Sequence, residues 1–148
     1  HLTDPEPPRH QTKSRHPLWK KFKTKEFYID ESLVQFIDHI QAKANGHKVE
    51  LILNGDIFDF DSVMSLPDKP IYKINWLETR RGLFPRQEKS LYKIQVILEE
   101  HKPFILALRQ FVKNGHKLVI IPGNHDVELH FPEVQSEVRK SLELTDQE

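Results

Sequence analysis

The chain has 148 residues, 37% of them hydrophobic and 30% charged, with 22 Lys and Arg against 22 Asp and Glu and a formal net charge of zero. That is the composition of one globular domain, long enough to bury a core without cross-links. The charge balance argues against a globally basic nucleic-acid binder, and the lack of Cys excludes disulfide scaffolds, thiolate zinc sites and cysteine nucleophiles.

No apolar run approaches the roughly 18 residues of a membrane-spanning helix, and no signal peptide opens the chain, so the expected compartment is cytoplasmic. Residues 3–28 are Pro-rich and then basic, with Arg9, Lys13, Arg15, Lys20, Lys21, Lys23 and Lys25 among His10, His16, Trp19 and Phe22. Such a run reads either as a solvated surface loop or as an anion-facing lid or membrane-surface contact. Leu33, Phe36, Ile37 and Ile40 then recur at helical spacing behind Asp30, a possible cap, and predict a helix over about 30–44.

Asn45-Gly46-His47-Lys48 and Asn114-Gly115-His116-Lys117 each precede a short apolar run, 49–53 and 118–121. Both pairs read as a helix stop followed by a strand buried on both faces. Between them lies a second insertion, 61–90, with Lys73, Trp76, Arg80, Arg81, Phe84 and Arg86. A helix over 88–101 with Leu91, Ile94 and Leu98 on one face follows, and Pro103 starts or kinks another through Phe104, Leu108, Phe111 and Val112. Behind Pro132, Val134, Val138 and Leu142 predict a last helix. The order fits an α/β architecture with a parallel sheet.

In an open parallel sheet the ligand site lies beyond the carboxyl ends of the strands. There the sequence places Gly55-Asp56-Ile57-Phe58-Asp59 and Gly123-Asn124-His125-Asp126. The glycines allow a sharp turn, so Asp56 and Asn124 can converge at the rim, a carboxylate able to bridge two cations and a neutral amide able to complete one shell. Read singly, each residue could instead cap a helix. His39, His47 and His116 read as structural, Phe58 and Phe60 as packing residues, and Asp126 as the cap of the following turn.

These two motifs resemble those of the calcineurin-like metallophosphoesterases, whose pattern runs Asp-x-His, Gly-Asp-x-x-Asp, Gly-Asn-His-Asp or Glu, a lone His, then Gly-His-x-His. The middle two are complete at 55–59 and 123–126, and the opening His1-Leu2 matches the end of the first. The resemblance implies the N-terminal part of a four-layer α/β/β/α sandwich with a mainly parallel inner sheet. It also implies one metallophosphoesterase domain over 1–148, truncated at both ends, with a strand expected before residue 1. The later His motifs are not found, and with ligands lacking the piece alone is expected to be inactive.

Carried over by position, the resemblance implies that His1 and Asp56 bind one divalent ion and Asp56 and Asn124 a second, the metals being Mn, Fe or Zn. His125 would face the phosphate, and Asp59 would hydrogen-bond it and fix its tautomer. The implied reaction is phosphoester hydrolysis by a metal-bridging hydroxide, on a phosphomonoester, phosphodiester or pyrophosphate. Phe60-Asp61 after Asp59, where protein phosphatases carry Arg-Gly, argues against that branch. The expected substrates are a phosphorylated small molecule, a nucleotide or a lipid-linked molecule. Membrane-surface contact and nucleic-acid binding through 9–25 stay open, as does a non-catalytic interaction module that retains the fold.

Overall fold

The computed structural model describes residues 2–5 and 28–144. His1, expected as a metal ligand, and most of the insertion expected at 3–28 lie outside the described residues.

Helix α1, Asp30–Lys43, buries Ile37 and packs Leu33 and Ile40 against the core. Phe36, expected on the same face, is instead 52% exposed. It stands about 100° around the helix from Ile37 and falls off the buried stripe. The expected cap is also corrected. Ile29 precedes the helix without a side-chain cap bond, and the Asp30 carboxylate turns to His101, whose Nδ1 lies 3.0 and 3.1 Å from its oxygens.

Asn45 and Gly46 both take positive φ, 49° and 82°, and release the chain into strand β1, Glu50–Asn54. Strand β2, Lys117–Ile121, lies parallel to it, with Leu51 opposite Leu118 and Leu53 opposite Ile120. His116 is structural, as expected: Nδ1 accepts the Val49 N–H at 3.2 Å and the ring packs on Phe111, centroids 4.6 Å apart.

The strands were expected to be buried on both faces, and here the expectation is corrected. Leu51, Leu53, Leu118 and Ile120 pack on the core, whereas Ile52 and Ile121 are 49% and 42% exposed. The described residues cover chiefly one face of the sheet, so burial alternates along β1, whereas in β2 the three middle residues are all partly buried and only the two end residues are exposed.

The connection from β1 to β2 begins with a 3₁₀ turn, Phe60–Ser62, and includes a one-turn helix α2, Glu78–Arg81, inside the insertion expected at 61–90. Helices α3, Gln87–Glu100, and α4, Lys102–Lys113, follow, broken at His101. Pro103 sits in the first turn of α4, where its missing N–H costs nothing. After β2 come a 3₁₀ turn, Val127–His130, and helix α5, Pro132–Ser141. Helix α4 packs on α1, and α5 on α3.

Ile94, Ile97, Leu108, Phe111 and Val134 are at most 1% exposed, each contributing about 1.5–3 kcal/mol on burial. The N-terminal residues are woven into this core. Leu2 bridges Phe58 in parallel, donating to the Ile57 carbonyl at 2.7 Å and accepting from the Asp59 N–H at 2.9 Å. The architecture is mixed α/β around a two-stranded parallel sheet, and no helix among the described residues is long and apolar enough to cross a membrane.

Candidate functional site

The two glycine motifs begin where β1 and β2 end side by side. The Gly55 N–H donates to the Ile121 carbonyl at 2.8 Å, continuing the ladder by one bond. The chain then breaks away through two left-handed residues, Gly55 at φ 76° and Asp56 at φ 53°. A left-handed Asp is uncommon, and it turns the carboxylate back across the neighbouring loop. There Asp56 Oδ1 accepts the His125 N–H at 3.0 Å.

Gly123 is what permits this approach. A Cβ at that position would overlap Asp56 Oδ1 and lie 2.5 Å from the Asp56 nitrogen. The space is a cradle filled by the Asp56 carboxylate and its backbone nitrogen, and the backbone atom cannot move aside as a flexible side chain could.

Asp126 does not cap the following turn as expected. It is fully buried, makes no cap bond to the Val127–His130 turn, and spends its carboxylate on one amide of its own loop and one distant amide. Oδ2 accepts the Ile57 N–H at 2.9 Å and Oδ1 the Gly123 N–H. Burial favours this use, because two N–H groups left behind the loops would otherwise lose water without gaining a partner. One carboxylate therefore joins the loop after β1 to the loop after β2.

Asp59 caps the Phe60–Ser62 turn, Oδ1 accepting the Ser62 N–H at 3.1 Å and Oδ2 the Ser62 hydroxyl at 2.6 Å. Its Oδ1 also stands 3.6 Å from His125 Nδ1, an ion-pair separation slightly longer than the hydrogen bond expected. The Phe60 N–H holds the His125 carbonyl at 3.3 Å, so backbone as well as side chain keeps the imidazole beside this turn. Phe58 and Phe60 are buried beneath it, as expected. Asn124 is exposed at the tip of its loop. The structure thus brings Asp56, Asp59, Asn124 and His125 to one corner.

Among the described residues no group of three or more His, Asp or Glu side chains converges tightly enough to hold a metal ion. The donor chemistry fits a hard or borderline divalent ion in part. Asp56 commits Oδ1 to an amide, which fixes the carboxylate's orientation, and the oxygen donor of Asn124 is one residue from that amide.

Several buried polar residues escaped the sequence reading. Lys93 on α3 and Glu128 lie 3.5 Å apart, each with a side chain at most 3% exposed. Burial pushes the Lys93 ammonium below its ordinary range, opposed by Glu128, Asp61 and Asp59; burial pushes Glu128 up, opposed by Lys93. A signal existed in the helix period, since Lys93 shares a face with Ser90, Ile94 and Ile97, all buried. Asp4, 1% exposed, accepts the N–H groups of Met64 and Ser65 at 2.9 and 2.6 Å. No local pattern announces it, because its partners lie sixty residues away.

Compared with protein-family models, with curated proteins and with solved structures, the chain gives no match. What fold and site define is a mixed α/β protein whose adjacent parallel strands end in two cross-linked, acid-bearing glycine loops.

Proposed function

We propose that this corner belongs to a metal-dependent phosphoester hydrolase. The observation that carries the reading is the 3.0 Å bond from the His125 N–H to Asp56 Oδ1, which joins the two motifs at the carboxyl ends of neighbouring parallel strands. On this reading the sheet is the inner sheet of a four-layer α/β/β/α sandwich.

Asp56 and Asn124 would hold divalent metal, with His1 a further ligand. Such an ion supplies positive charge that lowers the pKa of a water and offsets charge developing on a phosphoryl group. The protein's own residues do the rest. Asp126 and the Gly123 cradle hold Asp56 at one angle, so its second oxygen is preorganised. With Nδ1 turned to Asp59, the His125 ring would carry at Nε2 the proton that the departing oxygen takes up. Asp59, itself fixed by Ser62, stands beside Nδ1 and would keep the ring from swinging. The substrate is a phosphomonoester, phosphodiester or pyrophosphate on a small molecule, nucleotide or lipid-linked carrier.

The test is manganese-dependent hydrolysis of bis-p-nitrophenyl phosphate by the natural full-length protein, with bound manganese measured in parallel. Asp56→Asn should lose both metal and activity. His125→Gln should keep metal and lose most turnover, above all on esters with poor leaving groups. A protein that binds no metal and cleaves none of the three ester classes would instead be an interaction module.

A further inference from the structure

The insertion between the Phe60–Ser62 turn and α3 is organised by one buried carboxylate. Glu78, 1% exposed, accepts the Asn75 N–H at 3.0 Å and the Phe84 N–H at 3.1 Å, and pairs with Lys89 Nζ at 2.5 Å. The Asn75 side chain accepts the N–H groups of Leu77 and Glu78, both at 2.9 Å, and the Lys89 ammonium lies 5.5 Å from the centre of the Tyr72 ring. Residues 72, 75, 84 and 89 therefore meet at one point, and 71–86 forms a knuckle.

Its outer surface is unlike that of a solvated loop. Ile71 is 92% exposed, Trp76 69% and Phe84 38%. Lys69, Lys73, Arg80, Arg81 and Arg86 are exposed around them, and Asp68 is the one exposed acid from 68 to 86. A chain with no net charge thus gathers five cations beside three bulky apolar side chains. Large apolar groups left in water mark a contact surface, and a cationic rim fixes the sign of what it meets.

We propose that this knuckle docks onto the surface of anionic phospholipid bilayers. Trp76 and Phe84 suit the head-group boundary, Ile71 would enter the acyl layer, and the Lys and Arg stems reach along apolar surface to phosphates. Single-stranded nucleic acid fits less well. The Arg80 guanidinium already stands 5.3 Å over the Trp76 ring, on a face that base stacking would need, and Ile71 offers no ring. The knuckle is seated beside the candidate site, because Gly82 packs so closely on Val63 that any Cβ would strike the Val63 carbonyl. Val63 directly follows the turn that Asp59 caps. The docking does not rest on the phosphoesterase reading, although it would bring that site to phosphoesters carried in a head-group layer.

The test is co-sedimentation of the natural protein with vesicles of phosphatidylcholine containing about one third phosphatidylglycerol, against phosphatidylcholine alone. The protein should bind the anionic vesicles only, less as salt rises. Ile71→Ser with Trp76→Ser, and separately Lys73→Glu with Arg81→Glu, should each weaken partition by about tenfold or more at unchanged urea midpoint, since all four side chains are exposed. Absence of vesicle binding would overturn the proposal, as would equal binding by the variants, which would move the contact to residues 9–25. Variants that weaken only binding to single-stranded RNA would overturn it in favour of a nucleic-acid surface.

Discussion

Gly123 and Asp56 occupy each other's space: the carboxylate of one lies where a β-carbon on the other would stand. The contact joins positions 67 residues apart in the chain and leaves no room for a side chain at the first. Gly123→Ala should therefore push the two loops apart. The expected cost is about 1–3 kcal/mol in urea unfolding, the range for an overpacked site, with weakened manganese binding. A fully stable variant with unchanged metal affinity would mean that the loops part freely.

Asp126 anchors both loops by charge-assisted bonds to Ile57 and Gly123. Replacing it by Ala leaves two N–H groups without their acceptor and should cost about 3 kcal/mol or more; Asn, which keeps one acceptor oxygen, should cost less. Denaturation of the two variants checks the order. Equal losses would show that one of the two bonds carries no weight.

Lys93 and Glu128 form a pair that is costly to bury and costlier to break. Lys93→Met should destabilise by about 3–5 kcal/mol, because it strands Glu128 in the interior. Adding Glu128→Leu should restore most of that loss. A double-mutant cycle without coupling would contradict the pairing.

Glu78 provides a pH dependence with a definite sign. Burial alone would raise its pKa, but the Lys89 bond and the Asn75 and Phe84 amides outweigh burial and hold the carboxyl below its ordinary value. Its stabilisation is therefore complete above the unfolded carboxylate value, about 4.3, and is lost as pH falls through the lower folded value. Wild type should be more stable than Glu78→Gln at neutral pH, and the gap should close on acidification below about pH 4. Urea midpoints across that window measure it, and a constant gap would refute the assignment.

The local grammar of this protein was legible in its residues. Apolar spacing located all four long helices to within two residues at their starts, and Asn45-Gly46 and Asn114-Gly115 marked the chain's entry into both strands. The glycine loops also announced that the two motifs would meet, with Asp59 beside His125; the bond from the His125 N–H to Asp56 was not foreseen. Such signals are legible because helix period and left-handed turns depend on residues within a few positions of one another.

What only the tertiary structure decided is where each polar group finds its partner. Asp30 and Asp126 both looked like caps. Each sits on a segment packed against a distant amide or a distant imidazole, and burial made those the partners worth having. The sequence reading did not single out Lys93, whose partner Glu128 the fold brings beside it. The strands read as doubly buried because apolar runs do not record which face receives a helix, and the described residues cover one. A polar side chain's role follows from which segments meet across about thirty-five to seventy residues, and chain spacing carries no measure of that meeting.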